Sequence, residues 1–171
     1  MPTLTADQII KLLGLQPLPE EGGLFRQTYR SAEQIPAAAL PPRYAAPRRF
    51  ATAIYYLLTD EPDSFSALHR LKTDEVYHFY LGDPVEMLLL HPDGNSERIV
   101  LGQDLAAGQQ VQFVAPAGAW QGSRLVRGGR YALLGTTMAP GYEQQDFELG
   151  SQKELLSGYP EQAELIRALI R

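Results

Sequence analysis

The sequence predicts an all-β fold, an antiparallel sandwich or barrel with helices only at its two ends. Eight or nine short apolar or alternating runs follow one another at regular spacing. Glycine and proline clusters punctuate them, as at Gly22-Gly23, Gly82-Asp83-Pro84, Pro92-Asp93-Gly94 and Pro116-Ala117-Gly118. Helical periodicity is confined to residues 5–14 and to the stretch after residue 151.

Thr5 opens an amphipathic helix whose stripe is Ile9, Ile10, Leu12 and Leu13, with Gly14 as its stop. Such a helix packs on the outside of a sheet. Gly22-Gly23 is a tight turn, after which Leu24, Arg26, Thr28 and Arg30 alternate with Phe25, Gln27 and Tyr29 as a strand. Which face looks inward is open at this point. Residues 31–49 hold Pro36, Pro41, Pro42 and Pro47 among alanines and form a long irregular excursion. Arg43, Arg48 and Arg49, the densest basic spot, read as part of a solvated loop there.

Residues 50–59 are apolar on both faces and therefore a central strand. Residues 85–91 and 98–101 flank the Pro92-Asp93-Gly94 turn, which leaves His91 at the surface. Residues 110–114 alternate, and a rigid turn then delivers Trp120, the single tryptophan. Residues 130–137 form another buried strand, broken by Ala139-Pro140-Gly141. Ser151 with Glu154 has the pattern of a capping box, and residues 161–170 form a terminal helix with Leu165, Ile166 and Leu169 on one side.

The candidate chemistry lies in residues 64–82, where His69 and Glu75 flank the polar turn Lys72-Thr73-Asp74. A strand that turns and comes back brings an imidazole and a carboxylate to one point inside a sheet. That pairing suits a metal ion or proton transfer to a bound substrate. Period two places Tyr77 and Phe79 on the face of Glu75 and turns His78 to the other.

Composition narrows the choices. With 171 residues, 44% hydrophobic and 20% charged, the chain is expected to form one domain over residues 1–171. A net charge of −5 without a run of like charges argues against a nucleic-acid partner. The lack of cysteine excludes disulfides, zinc–thiolate sites and thiol nucleophiles, and fits a cytoplasmic location. Asp7 and Lys11 interrupt the N-terminal apolar segment, so no secretory signal is expected, and no apolar run is long enough to span a membrane.

Five blocks in order make the chain resemble a branch of small, largely uncharacterised single-domain cupins. They are Glu21-Gly22-Gly23-Leu24-Phe25-Arg26, Ala53-Ile54-Tyr55-Tyr56-Leu57-Leu58, residues 69–75, residues 116–121 and Ala139-Pro140-Gly141-Tyr142. The resemblance implies a double-stranded β-helix, the cupin jelly-roll barrel, with short N- and C-terminal helices, and commonly a homodimer. It places His69, Glu75 and Gly82 in the first cupin motif, where Leu71 replaces the second histidine. In the second motif, Pro116-Ala117-Gly118, Gln121 stands where a histidine is usual. The family's metal set of three histidines and a glutamate is thereby reduced to His69, Glu75 and Gln121, and a divalent metal, if bound, is expected to be held weakly.

Three functions follow from that pocket. The first is a metal-independent epimerase or isomerase acting on a small sugar- or nucleotide-like molecule. In it His69 is the base, Glu75 its partner, and Tyr77 or Tyr131 the acid, while Tyr55, Phe79 and Trp120 stack a ring and Arg26, Arg70 and Gln121 hold polar groups. The second is a binding module without chemistry. The third is a metal-dependent lyase, isomerase or dioxygenase using His69, Glu75 and Gln121.

Overall fold

The computed structural model describes residues 4–171. Helix α1 (Ala6–Leu13) begins at a complete capping box, the Thr5 hydroxyl accepting from the Gln8 amide while the Gln8 side chain accepts from Thr5 N–H. Gly14 closes it in the left-handed conformation. Strands β1 (Gln16–Pro17), β2 (Leu24–Arg30), β3 (Gln34–Ile35), β4 (Arg48–Arg49), β5 (Thr52–Thr59), β6 (Ser66–Arg70) and β7 (Glu75–Gly82) follow. Then come β8 (Val85–Leu90), β9 (Ser96–Leu101), β10 (Gln112–Ala115), β11 (Trp120–Leu125), β12 (Tyr131–Met138) and β13 (Glu148–Leu149), before helices α2 (Gln152–Gly158) and α3 (Ala163–Ala168).

Two antiparallel sheets face each other. One runs β1-β2-β5-β12-β7-β10 and the other β13-β6-β11-β8-β9, with β3 and β4 as a separate pair. The pattern of connections corrects one expectation. The stretch holding His69 and Glu75 is not a hairpin: β6 pairs with β11 and β13, whereas β7 pairs with β12 and β10. The Lys72-Thr73-Asp74 turn crosses from one sheet to the other, so the two side chains meet across the barrel interior.

Between the sheets, Tyr56, Leu58, Tyr77, Phe79, Met87 and Leu89 pack as the inner core. Their strand neighbours point the other way. Leu57 and Leu133 pack under α1 against Ile9 and Leu15, and Leu88 and Leu90 pack under the C-terminal helices against Leu155, Leu165 and Leu169. Strands β5 and β8 are apolar at successive positions because both of their faces are covered.

The C-terminal end departs in detail from the sequence pattern. Ser151 makes no side-chain capping bond, and a 3-10 turn at Pro160–Gln162 takes up the start of the expected terminal helix, leaving α3 shorter. The basic spot departs more. Arg48 is buried, not solvated, and its guanidinium pairs with Asp146.

Candidate functional site

The pieces of the site come from four separate stretches. Glu21 sits in the turn before β2, which the Gly22-Gly23 pair makes possible. Both glycines have positive φ, and a Cβ on Gly23 would lie 2.9 Å from the Tyr56 ring. The tyrosine can therefore close over the turn and donate its hydroxyl to Gly22 O at 3.0 Å. The turn is pinned to β6 as Ala67 N–H donates to Glu21 O, and as the Ser66 hydroxyl donates to Glu21 Oε1 at 2.8 Å.

From β6, His69 points inward and is 1% exposed. Its Nδ1 lies 2.8 Å from Ala67 O, an acceptor, so Nδ1 carries a proton and Nε2 faces the cluster. Gln121 on β11 is the register partner of His69. Its amide nitrogen lies 3.2 Å from His69 Nε2 and donates to Glu75 Oε2 at 2.7 Å. The Tyr77 hydroxyl donates to the same Glu75 oxygen at 3.1 Å. Glu21 Oε2 stands 4.0 Å from His69 Nε2 and completes the cluster, while the Phe147 ring stacks on the imidazole at 5.1 Å.

Above the cluster is a cavity of about 290 Å³ at one end of the barrel. Glu21, Glu75, Thr136 and Tyr142, with Gln27, Thr52 and Gln144, supply polar lining, and Phe25, Ile54 and Met138 form apolar walls. Arg30 and Glu143 also line it and pair with each other at 2.7 Å. Burial pushes the Glu21 carboxyl above its ordinary range; the charge of Glu75 adds to this, and His69 works against it. Burial likewise raises the Tyr77 phenol well above its usual value, with Glu75 next in effect, and raises that of Tyr142, with Glu21 next.

The wall facing these groups is held from the excursion between β2 and β5. Arg48 Nε and Nη2 donate to the two oxygens of Asp146, each at 2.7 Å, and Nη1 donates to Ala46 O and Pro47 O. Asp146 belongs to the segment that supplies Tyr142, Glu143 and Gln144 to the cavity and Phe147 to His69. The buried pair thus sets the position of that wall.

His69, Glu75, Tyr77 and Gln121 come together, and Phe79 lies in the inner core beside them. The other five candidates stand elsewhere, and strand alternation is the reason. Trp120 and Arg70 neighbour Gln121 and His69 in sequence, so they occupy the outer face. Trp120 packs under the C-terminal helices, and Arg70 lies over its ring and pairs with Glu148. Tyr55 and Arg26 are cross-strand partners on the outside of the other sheet, the guanidinium 5.5 Å from the ring centre. Tyr131 packs under α1 with Ile9 and Leu15. The sequence reading missed Glu21 and Tyr142 as cavity residues. Their only signal lay in the Glu21-Gly22-Gly23 and Ala139-Pro140-Gly141-Tyr142 blocks.

The proposed metal set does not fit this arrangement. Gln121 offers its nitrogen, not its oxygen, to the centre of the cluster, and that nitrogen occupies the approach to His69 Nε2 at 3.2 Å. Among the described residues no three histidine, aspartate or glutamate side chains converge as metal ligands do.

Residues 7–150 match the family described as Cupin superfamily (DUF985). The chain belongs to the cupin superfamily. Its barrel is similar to that of a protein from Shewanella oneidensis, with 36% identity and a TM-score of 0.83 over 99% of each chain. A hypothetical protein from Leishmania major shows 30% identity and a TM-score of 0.84 over 98% of this chain and 99% of its own. An uncharacterised protein from Saccharomyces cerevisiae is 29% identical over 134 residues, 74% of this cupin and 66% of the yeast protein's length. The fold of the present chain is a mostly β cupin barrel with short terminal helices. Among the described residues no helix is long and apolar enough to cross a membrane.

Proposed function

We propose that this cupin binds a small polar molecule in the end cavity and moves a proton on it without a metal, as an epimerase or isomerase does. The observation that carries the proposal is the pair of carboxyl groups facing one cavity in different settings. Glu21 is held toward its protonated form by burial, and Glu75 presents an oxygen that already accepts twice. Two carboxyl groups in unlike surroundings on one cavity can divide the roles of acid and base.

In this reading Glu75 takes a proton from a carbon beside a carbonyl, and the electron pair moves to the carbonyl oxygen, which receives the proton of Glu21. Glu75 then gives its proton to the former carbonyl carbon while the neighbouring hydroxyl, becoming the new carbonyl, gives its proton to Glu21, so the isomer forms and both groups are restored. His69 positions Gln121, and Gln121 positions Glu75. Residues that could grip a nucleotide, Arg26, Arg70 and Trp120, all lie outside the cavity. A substrate of single-ring size suits its volume better, at the lower end of the range for ligand pockets.

The test is proton exchange. Small hydroxycarbonyl compounds are incubated with the protein in D2O, and loss of carbon-bound protons is followed by NMR. At least one compound should exchange, with Glu75→Gln lowering the rate by about 10²-fold or more. A compound that binds the cavity and never exchanges would leave a binding module instead.

A further inference from the structure

We infer that a groove on the outside of the barrel is a second binding site, which takes a phosphate monoester between Arg43 and Lys72. This goes beyond the end-cavity reading and does not rest on it.

The groove holds about 760 Å³ between the excursion of residues 31–49, the turn after β6 and the segment leading into β13. Leu71, 5% exposed, is the one residue it shares with the lining of the end cavity. Its lining carries three cations, Arg43, Arg70 and Lys72, and two acids, Asp146 and Glu148. Both acids are already matched. Arg48 takes the two oxygens of Asp146 at 2.7 Å, and Arg70 takes the two of Glu148 at 2.8 Å. Lys72 Nζ stands 3.8 Å from Asp146, beyond hydrogen-bond reach. Asp74 lies outside this lining, its Oδ1 accepting from Ala117 N–H at 2.8 Å.

Arg43 is exposed, yet it is held in place. Its Nε donates to Lys72 O at 2.8 Å, and its guanidinium lies 4.8 Å from the centre of the buried Tyr44 ring. The Tyr44 hydroxyl donates to the same carbonyl at 3.1 Å, which fixes the backbone that carries the Lys72 side chain. Among the described residues Arg43 Nη1 and Nη2 have no partner. In a chain where 20 acidic residues outnumber 15 lysines and arginines, a fixed guanidinium without a carboxylate leaves an uncancelled positive charge. Lys72 adds a second, rooted at the carbonyl that anchors the first. Together they match the near-double charge of a phosphate monoester, whose three oxygens suit a free fork and an ammonium. Because the guanidinium is ordered before the ligand arrives, little side-chain freedom is lost on binding. Leu71 and Phe147 supply an apolar margin for the organic part of the ester.

Phenyl phosphate and succinate are titrated calorimetrically into the intact chain at constant ionic strength. Phenyl phosphate should bind once per chain, at least tenfold more tightly than succinate. Arg43→Gln and Lys72→Gln should each weaken it at least tenfold. The Lys72 side chain makes no hydrogen bond, so that variant keeps the test open if Arg43→Gln loosens the excursion, and both are checked for a native-like melt. Two controls should stay within twofold: Arg127→Gln, at an exposed arginine outside the groove, and Arg30→Gln, at the cation lining the end cavity. No binding of phenyl phosphate, an equal loss in Arg127→Gln, or succinate binding as tightly overturns the inference. A loss in Arg30→Gln with the two groove variants unaffected overturns the groove and leaves the phosphate in the end cavity.

Discussion

Two groups of charged side chains are buried in this barrel, and they are built to opposite standards. Arg48 and Asp146, 0% and 1% exposed at their side chains, satisfy each other through a two-pronged contact, with carbonyl oxygens taking further donors. The hydrogen bond to Asp146 holds the guanidinium still more firmly in its charged form. The Glu21–His69–Gln121–Glu75 group has two carboxyls near one imidazole and, among the described residues, an amide oxygen with no partner. A complete set of partners is what a buried charge needs to hold a structure together. An incomplete set that faces a cavity is paid for by folding elsewhere and is settled when a ligand arrives. The same chemistry of burial thus marks one group as scaffold and the other as site.

That contrast can be broken at either end. The largest effect belongs to the scaffold: Arg48→Met leaves Asp146 buried and unpaired and should cost about 3–5 kcal/mol, read by urea unfolding. Ligand binding should fall with it, because Tyr142 to Phe147 lose their anchor. A native-like midpoint would mean that the pair is dispensable. Next, Tyr77→Phe removes one donor from Glu75 and should cost about 1.5–3 kcal/mol, as for a hydrogen bond to a charged group; an unchanged midpoint would show that Gln121 alone satisfies that oxygen.

The smallest effect is a pH dependence. With its pKa in the fold above the ordinary 4.5, Glu21 stabilises the fold fully below pH 4.5, and this contribution is lost as pH rises through the higher, folded-state value. Glu21→Gln does not titrate. Its melting temperature relative to the unaltered protein should therefore climb from pH 4 upward, and a flat or falling difference would contradict the raised carboxyl.

Much of the barrel was legible because its strands are short and alternate, and their turns carry glycine and proline. His69, Glu75 and Tyr77 were legible for the same reason, being inward positions around one turn, and Gln121 stood at a motif position. Trp120 and Arg70 show the limit of reading by residue type. An aromatic ring and a guanidinium suggest a ligand grip, yet alternation places each opposite its inward neighbour. Glu21 and Arg48 were illegible for a different reason. A glutamate in a glycine turn and an arginine in a proline-rich loop both look solvated until distant partners, Ser66 and Asp146, are known. No local pattern encodes such meetings.

Those meetings also fix when the site can exist. The bonds that define it join residues 45, 46 and 52 positions apart, and the Arg48–Asp146 anchor spans 98. Contacts of such separation close late and slowly as a chain folds, since long loops must be ordered first. A half-folded chain can have native strands and still lack every element of the cavity floor. Recovery of ligand binding during refolding would therefore time the last step of the pathway, after strand content has already returned.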